Sequence, residues 1–125
     1  MKNLEQIRAA NAIKYKDEVF PGSDGGEVVK KVPAMIRENG FLAAAAFALE
    51  KKGNGDYKNP GHKKVFDCIL GHLAHSDVKK TDKANLEGFV IWLTEKSSAE
   101  LREITDESLA YLNYLRRFAR KKSEK

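Results

Sequence analysis

Residues 97–122 carry the pattern that most restricts how this chain can fold. Ser97 and Glu100 have capping-box spacing, in which each side chain accepts the other residue's backbone N–H at the start of a helix. From there Leu101, Ile104, Tyr111, Leu112, Leu115, Phe118 and Ala119 recur on one helical stripe, and Asn113, Arg116, Arg117, Arg120 and Lys121 fall on the opposite side. The spacing predicts a helix to about Lys122, roughly 37 Å long at 1.5 Å per residue. A helix with one apolar stripe is stable only when that stripe is buried, so the rest of the chain must supply packing partners.

Five further segments read as those partners. The first runs from about Asn3 to Val19, with Asn3 and Gln6 at capping-box spacing and Leu4, Ile7, Asn11 and Tyr15 as a partly polar stripe. Pro21-Gly22-Ser23-Asp24-Gly25-Gly26 then forms a turn. The second places Val28, Val32, Met35, Ile36 and Asn39 at helical spacing with Pro33 inside, which predicts a kink there or a helix starting beside it. Asn39-Gly40 is a C-terminal cap. The third, Phe41 to Lys52, is apolar on nearly every side and is expected to be the central helix, stopping at Gly53. After the turn Gly53-Asn54-Gly55-Asp56, Asn59 as cap and Pro60 at the first helical position open a fourth helix, whose core face is Val65, Phe66, Ile69, Leu70 and Leu73. The fifth, about Thr81 to Lys96, contains Phe89-Val90-Ile91-Trp92-Leu93, which alone would suit a buried strand. We read it as helix, because Leu86, Phe89, Val90 and Leu93 share a helical face and no second strand-like run exists to pair with it. The expected architecture is all-α: one compact domain over 1–125, a bundle of about six helices with a long C-terminal helix, its core including Phe47 and Leu115.

Composition narrows the setting. A chain of 125 residues that is 42% hydrophobic and 33% charged has the makings of a globular domain with its own core. Its longest apolar run, Phe41 to Leu49, is nine residues, well short of the roughly 20 that span a bilayer, so no membrane anchor is expected. The opening Met1-Lys2-Asn3-Leu4-Glu5-Gln6 lacks a secretory layout, and the single cysteine, Cys68, has no partner for an internal disulfide. A reducing cytoplasm is the expected compartment.

The charge is concentrated at one end. Residues 1–110 hold 17 Lys and Arg against 17 Asp and Glu, whereas residues 111–125 hold six basic residues against Glu124, which accounts for the net charge of +5. Such a field raises the local concentration of polyanions, and a phosphate backbone is the first partner it suggests. A plainer explanation competes with it. Glu100, Glu103, Asp106 and Glu107 precede Arg116 to Lys122 on the last helix, the arrangement its dipole favours. The dipole needs only one or two terminal charges, so this cluster exceeds that requirement.

Catalytic and metal chemistry find less support. Cys68, His72 and His75 project from one side of the fourth helix as a metal half-site, without a fourth ligand at recognisable spacing. Cys68 with His72 has the residue types of a covalent catalyst, but a four-residue separation is ordinary neighbour spacing and no third orienting group is evident. Gly22, Gly25 and Gly26 lack the Lys-Ser/Thr and the preceding strand of a phosphate loop. We read Cys68, His72 and His75 as structural and expect no metal, cofactor or catalytic site.

Three blocks add a resemblance. Lys31-Val32-Pro33-Ala34-Met35-Ile36-Arg37-Glu38-Asn39-Gly40-Phe41-Leu42 with Ala46-Phe47-Ala48-Leu49 resembles the signature of the small helical subunit of the type III-B CRISPR effector, the Cmr complex. Leu112-Asn113-Tyr114-Leu115-Arg116-Arg117-Phe118-Ala119 is similar to that family's C-terminal signature, and Leu4-Glu5-Gln6-Ile7-Arg8-Ala9 to its opening. The resemblance implies an all-helical, non-catalytic subunit that stacks in several copies alongside the backbone subunits holding guide RNA and lines the channel for target RNA. It carries Arg8, Arg116 and Arg117 over as RNA-facing or subunit-facing groups, while Arg120 and Lys121 belong to no matched motif and enter through charge alone. The implied partners are the other Cmr subunits, especially the backbone subunit, further copies of the chain, and guide and target RNA. A free-standing helical nucleic-acid-binding protein is the alternative.

Overall fold

In the computed structural model, which describes residues 2–19 and 25–119, the chain forms α1 (Leu4–Tyr15), α2 (Gly25–Asn39), α3 (Phe41–Leu49), α4 (Pro60–Leu73), α5 (Leu86–Thr94) and α6 (Ser98–Phe118), with a 3-10 turn over Lys16–Glu18 after α1. No strand occurs among the described residues; a lone antiparallel bridge joins Lys51 to Tyr57.

Local chemistry sets most of the boundaries. Both capping boxes form: Asn3 Oδ1 accepts Gln6 N–H at 2.9 Å while Gln6 Oε1 accepts Asn3 N–H at 2.9 Å, and Ser97 and Glu100 make the same reciprocal pair. Gly40 closes α2 and opens α3. Its φ of 92° lies in the left-handed region that favours glycine, and its N–H donates to Ile36 O at 2.8 Å. Helix α2 is continuous through Pro33, which is buried, so no helix begins beside that proline. It also starts at Gly25, inside the stretch expected to be a turn. Asn59 precedes Pro60 as expected, but its side chain does not cap α4; it donates to Phe47 O at 3.0 Å and ties down the end of α3.

Three expectations are corrected. The hub of the bundle is α4, which packs on α1, α2, α3, α5 and α6, whereas α3 packs mainly on α2, α4 and α5. Only Phe41, Ala44, Ala45 and Ala48 of α3 are buried; Ala43 and Ala46 are exposed, because a small side chain allows close approach without requiring it on every side. Helix α3 also ends at Leu49 and not near Lys52, since residues 50–58 fold back as a tight loop in which Lys52 N–H donates to Asp56 O at 2.8 Å. Helix α5 begins at Leu86 instead of Thr81, because Asn85 is its cap, accepting Gly88 N–H at 2.7 Å.

One buried cluster draws on all six helices, and α4 contributes Val65, Phe66, Ile69, Leu70 and Leu73 as expected. Phe41 stands edge-on to Phe66 and to Phe89, with ring centroids 5.5 and 6.1 Å apart, which joins α3, α4 and α5. Leu115 is fully buried, but Phe47 is only half-buried, its ring lying against His62. Leu115→Ala is therefore expected to lower unfolding free energy by about 2–5 kcal/mol. Phe47→Ala should cost clearly less, a ranking that urea denaturation of the two variants checks.

Candidate nucleic-acid interface

The basic end is built by pairing α1 with α6. The two helices run antiparallel, as their cross-links show: Arg8 meets Glu107, and Tyr114 Oη donates to Glu5 Oε2 at 3.0 Å. This register brings the start of α1 beside the end of α6. Arg116 and Arg117 are exposed in the last turn of α6, on either side of exposed Asn113, and exposed Lys2 lies at the same end of the bundle. Leu4 and Phe118, 38% and 37% exposed, add apolar surface there. Helix α6 ends at Phe118, short of the expected Lys122: Ala119 has extended backbone angles (φ −78°, ψ 119°) and its N–H donates to Leu115 O at 2.9 Å. Arg120 and Lys121 lie outside the described residues.

Arg8 has a different environment from the two C-terminal arginines. Its Nε and Nη2 donate to Glu107 Oε2 and Oε1 at 2.8 and 2.7 Å, a bidentate pair that leaves the arginine side chain 22% exposed and the glutamate 5%. Glu107 Oε2 also lies 2.8 Å from His72 Nε2, and His72 Nδ1 lies 2.9 Å from Asn11 Nδ2. With the Asn11 amide as donor, Nδ1 accepts and the ring proton sits on Nε2, facing the carboxylate. The imidazole stacks on Tyr111, centroids 4.4 Å apart and 9° from parallel. Burial alone would raise the Glu107 pKa, but the hydrogen bonds from Arg8 and His72 and the positive field of Arg8 outweigh it and hold the carboxyl at about 2. The same hydrogen bond raises the Arg8 pKa.

This relay settles how Cys68, His72 and His75 are used. They are not brought together. His72 is fully buried with both ring nitrogens engaged, and His75 turns away to accept Asp77 N–H at Nδ1, 3.1 Å. Cys68 is buried with Sγ 4.0 Å from Tyr15 O, and burial, with Glu18 and Asp67 nearby, pushes its thiol up to about 12. Among the described residues, no group of three His, Cys, Asp or Glu side chains is placed to hold a metal ion. Sequence reasoning placed Glu107 among the dipole-matched acids of the last helix; the structure makes it the centre of a buried ion pair. Two polar residues inside otherwise apolar stripes, Asn11 and His72, were the available signal.

A family model described as CRISPR-associated protein (Cas_Cmr5) matches residues 4–122. The chain belongs to the Cas_Cmr5 family. These are small subunits of type III-B systems, the Cmr complex. No curated protein and no solved structure matched the chain. The match takes in every helix of this Cas_Cmr5 chain, including both ends of the α1–α6 pair. No described helix is long and apolar enough to cross a membrane.

For this family member, integrity of the α1–α6 pair rests on Glu107. Glu107→Gln keeps the side-chain shape but leaves Arg8 without its counter-charge, with an expected loss of about 2–4 kcal/mol in chemical denaturation at neutral pH. A carboxyl held at about 2, below its ordinary 4.5, stabilises the fold fully above pH 4.5 and loses that contribution as pH falls through about 2. The stability gap between the wild-type protein and Glu107→Gln should therefore narrow as pH falls across that interval.

Proposed function

We propose that this chain is a non-catalytic Cmr subunit that stacks in several copies alongside the guide-RNA-holding backbone subunits, contacts target RNA through its basic end, and so serves RNA-guided antiviral defence in the cytoplasm. The observation that carries the reading is the exposed pair Arg116 and Arg117 in the last turn of α6. Lys2 stands at the same end, and four more basic residues, Arg120, Lys121, Lys122 and Lys125, follow the pair in the sequence. Two arginines held on a rigid helix present fixed guanidinium forks to phosphate oxygens. In this reading Arg8 acts through Glu107, fixing α1 against α6 so that Lys2 and Leu4 flank the arginines. The half-exposed Leu4 and Phe118 suit a subunit contact beside the charged one.

The test is the double variant Arg116→Glu with Arg117→Glu, assembled with the other Cmr subunits. Because both side chains are exposed, the variant should melt like the wild-type protein. Assembled complexes are expected to bind target RNA more weakly, with a slope of log affinity against log salt shallower by about 1.4 if both arginines contact phosphates of a single strand. If the arginines contact protein instead, the subunit fails to join the complex. Normal assembly, normal affinity and an unchanged salt slope together would overturn the assignment.

A further inference from the structure

A cleft of about 660 Å³ lies away from the basic end, between the 74–82 loop and α5. Lys79, Lys80, Thr81, Asp82 and the half-buried Trp92 line it, and the Lys96 ammonium stands over the Trp92 ring at 4.8 Å from its centroid. Behind the indole, Phe89 is stacked at 5.7 Å and 27°, which fixes the ring plane. Lys79 has a φ of 53°, the one described non-glycine residue in the left-handed region. That conformation is unfavourable for a residue with a Cβ, and it is held by the Lys79 N–H to His75 O bond at 2.9 Å and the Lys80 N–H to Leu73 O bond at 2.8 Å. Lys80 is spent on an ion pair with Glu103. Lys79 and Lys96 are in no ion pair among the described residues.

An oriented indole, a ridge of lysines and an open cleft are the components of a base-stacking site. We propose that this cleft seats one unpaired nucleotide of a single-stranded RNA, its base against Trp92 and its flanking phosphates on Lys79 and Lys96. Two features select that occupant. The indole offers a π face, which every base can stack on without sequence readout. Asp82 on the rim and Glu103 behind Lys80 offset much of the local positive charge, so the cleft does not bind polyanions through field strength alone and depends on stacking. Lys96 already occupies the cation–π position, and an exposed lysine moves from ring to phosphate at little cost. The inference rests on the RNA-binding reading above but names a second site, set by different residues.

Trp92 is the chain's only tryptophan, so its emission reports on the cleft directly. An end-labelled oligouridylate is titrated into the purified full chain, with RNA anisotropy and Trp92 fluorescence read together. Both signals are expected to saturate in parallel, with quenching of Trp92. Trp92→Phe should keep affinity within about threefold, and Trp92→Ala should lose about tenfold or more. Because Trp92→Ala also removes packing on Phe89, Lys79→Gly is the second variant. Glycine suits the observed φ, so this protein should melt about 3–5 °C higher than wild type, bind RNA more weakly, and show a salt slope smaller by about 0.7. Rising anisotropy with unchanged Trp92 emission and wild-type affinity in Lys79→Gly would overturn the cleft and leave RNA binding at Arg116 and Arg117 standing. No anisotropy change with the free chain would overturn the cleft as well, and the Arg116→Glu, Arg117→Glu complexes would then decide the other reading separately.

Discussion

The arrangement of the bundle depends on one buried ion pair. Helix α1 lies along α6 but buries little apolar surface: of its twelve residues only Asn11 and Ala12 are buried, and Ile13 is 48% exposed. Apolar contact alone gives such a helix a shallow preference for any one position. The Arg8–Glu107 fork and the Asn11–His72–Glu107 relay replace that with directional bonds, linking α1 to α6 and both to α4. A buried charge pair gives less net stability than its short distances suggest, because both groups must leave water. Its larger effect here is on register, since a slip of α1 along α6 would leave the buried Glu107 carboxylate without its arginine counter-charge, with only the His72 hydrogen bond remaining. The basic end inherits its geometry from that register, because Lys2 and Leu4 meet the last turn of α6 only when Arg8 meets Glu107.

Much of the fold was legible because helical spacing and end chemistry are local. The α6 stripe from Ile104 to Leu115, both capping boxes, the Asn39-Gly40 stop and the α4 start at Pro60 all lie within a few turns of sequence and appear in the structure where they are expected. What was misread depends on the rest of the chain. The run Phe41–Leu49 says that α3 is apolar but not how many neighbours surround it, and the structure covers only one side. Residues 81–85 carry a weak helical pattern, yet Lys79 turns the chain and Asn85 caps α5, so helix begins only afterwards.

The candidate site divides along the same line. Exposure of Arg116 and Arg117 follows from their position opposite Leu112 and Leu115, which periodicity gives directly. The commitment of Arg8 to Glu107 does not, because the partners lie 99 residues apart, and no local pattern distinguishes a buried glutamate from the exposed acids around it. The Trp92 cleft was hidden for a similar reason. The packing face Leu86, Phe89, Val90 and Leu93 says nothing of where the distant 74–82 loop lies, and that loop leaves the Trp92 indole only half-buried.

The two proposed RNA contacts sit near opposite ends of one rigid element. Lys80 at the cleft is paired with Glu103 in the second turn of α6, and Arg116 lies thirteen residues further along, about 20 Å at 1.5 Å per residue. They work by different physics. Exposed arginines act through charge at a range set by the ionic atmosphere, roughly 8–10 Å at physiological salt, whereas the indole acts only on a base in contact with it. A strand captured electrostatically at one end of α6 would hold its neighbouring nucleotides at a raised effective concentration near the other, so each weak contact strengthens the other without new bonds. That gain requires α6 to stay straight and its partners to stay in register. The buried Arg8–Glu107 pair in the middle of the helix sets the α1–α6 register on which the basic end depends, while the cleft is tied to α6 through Lys80 and Glu103.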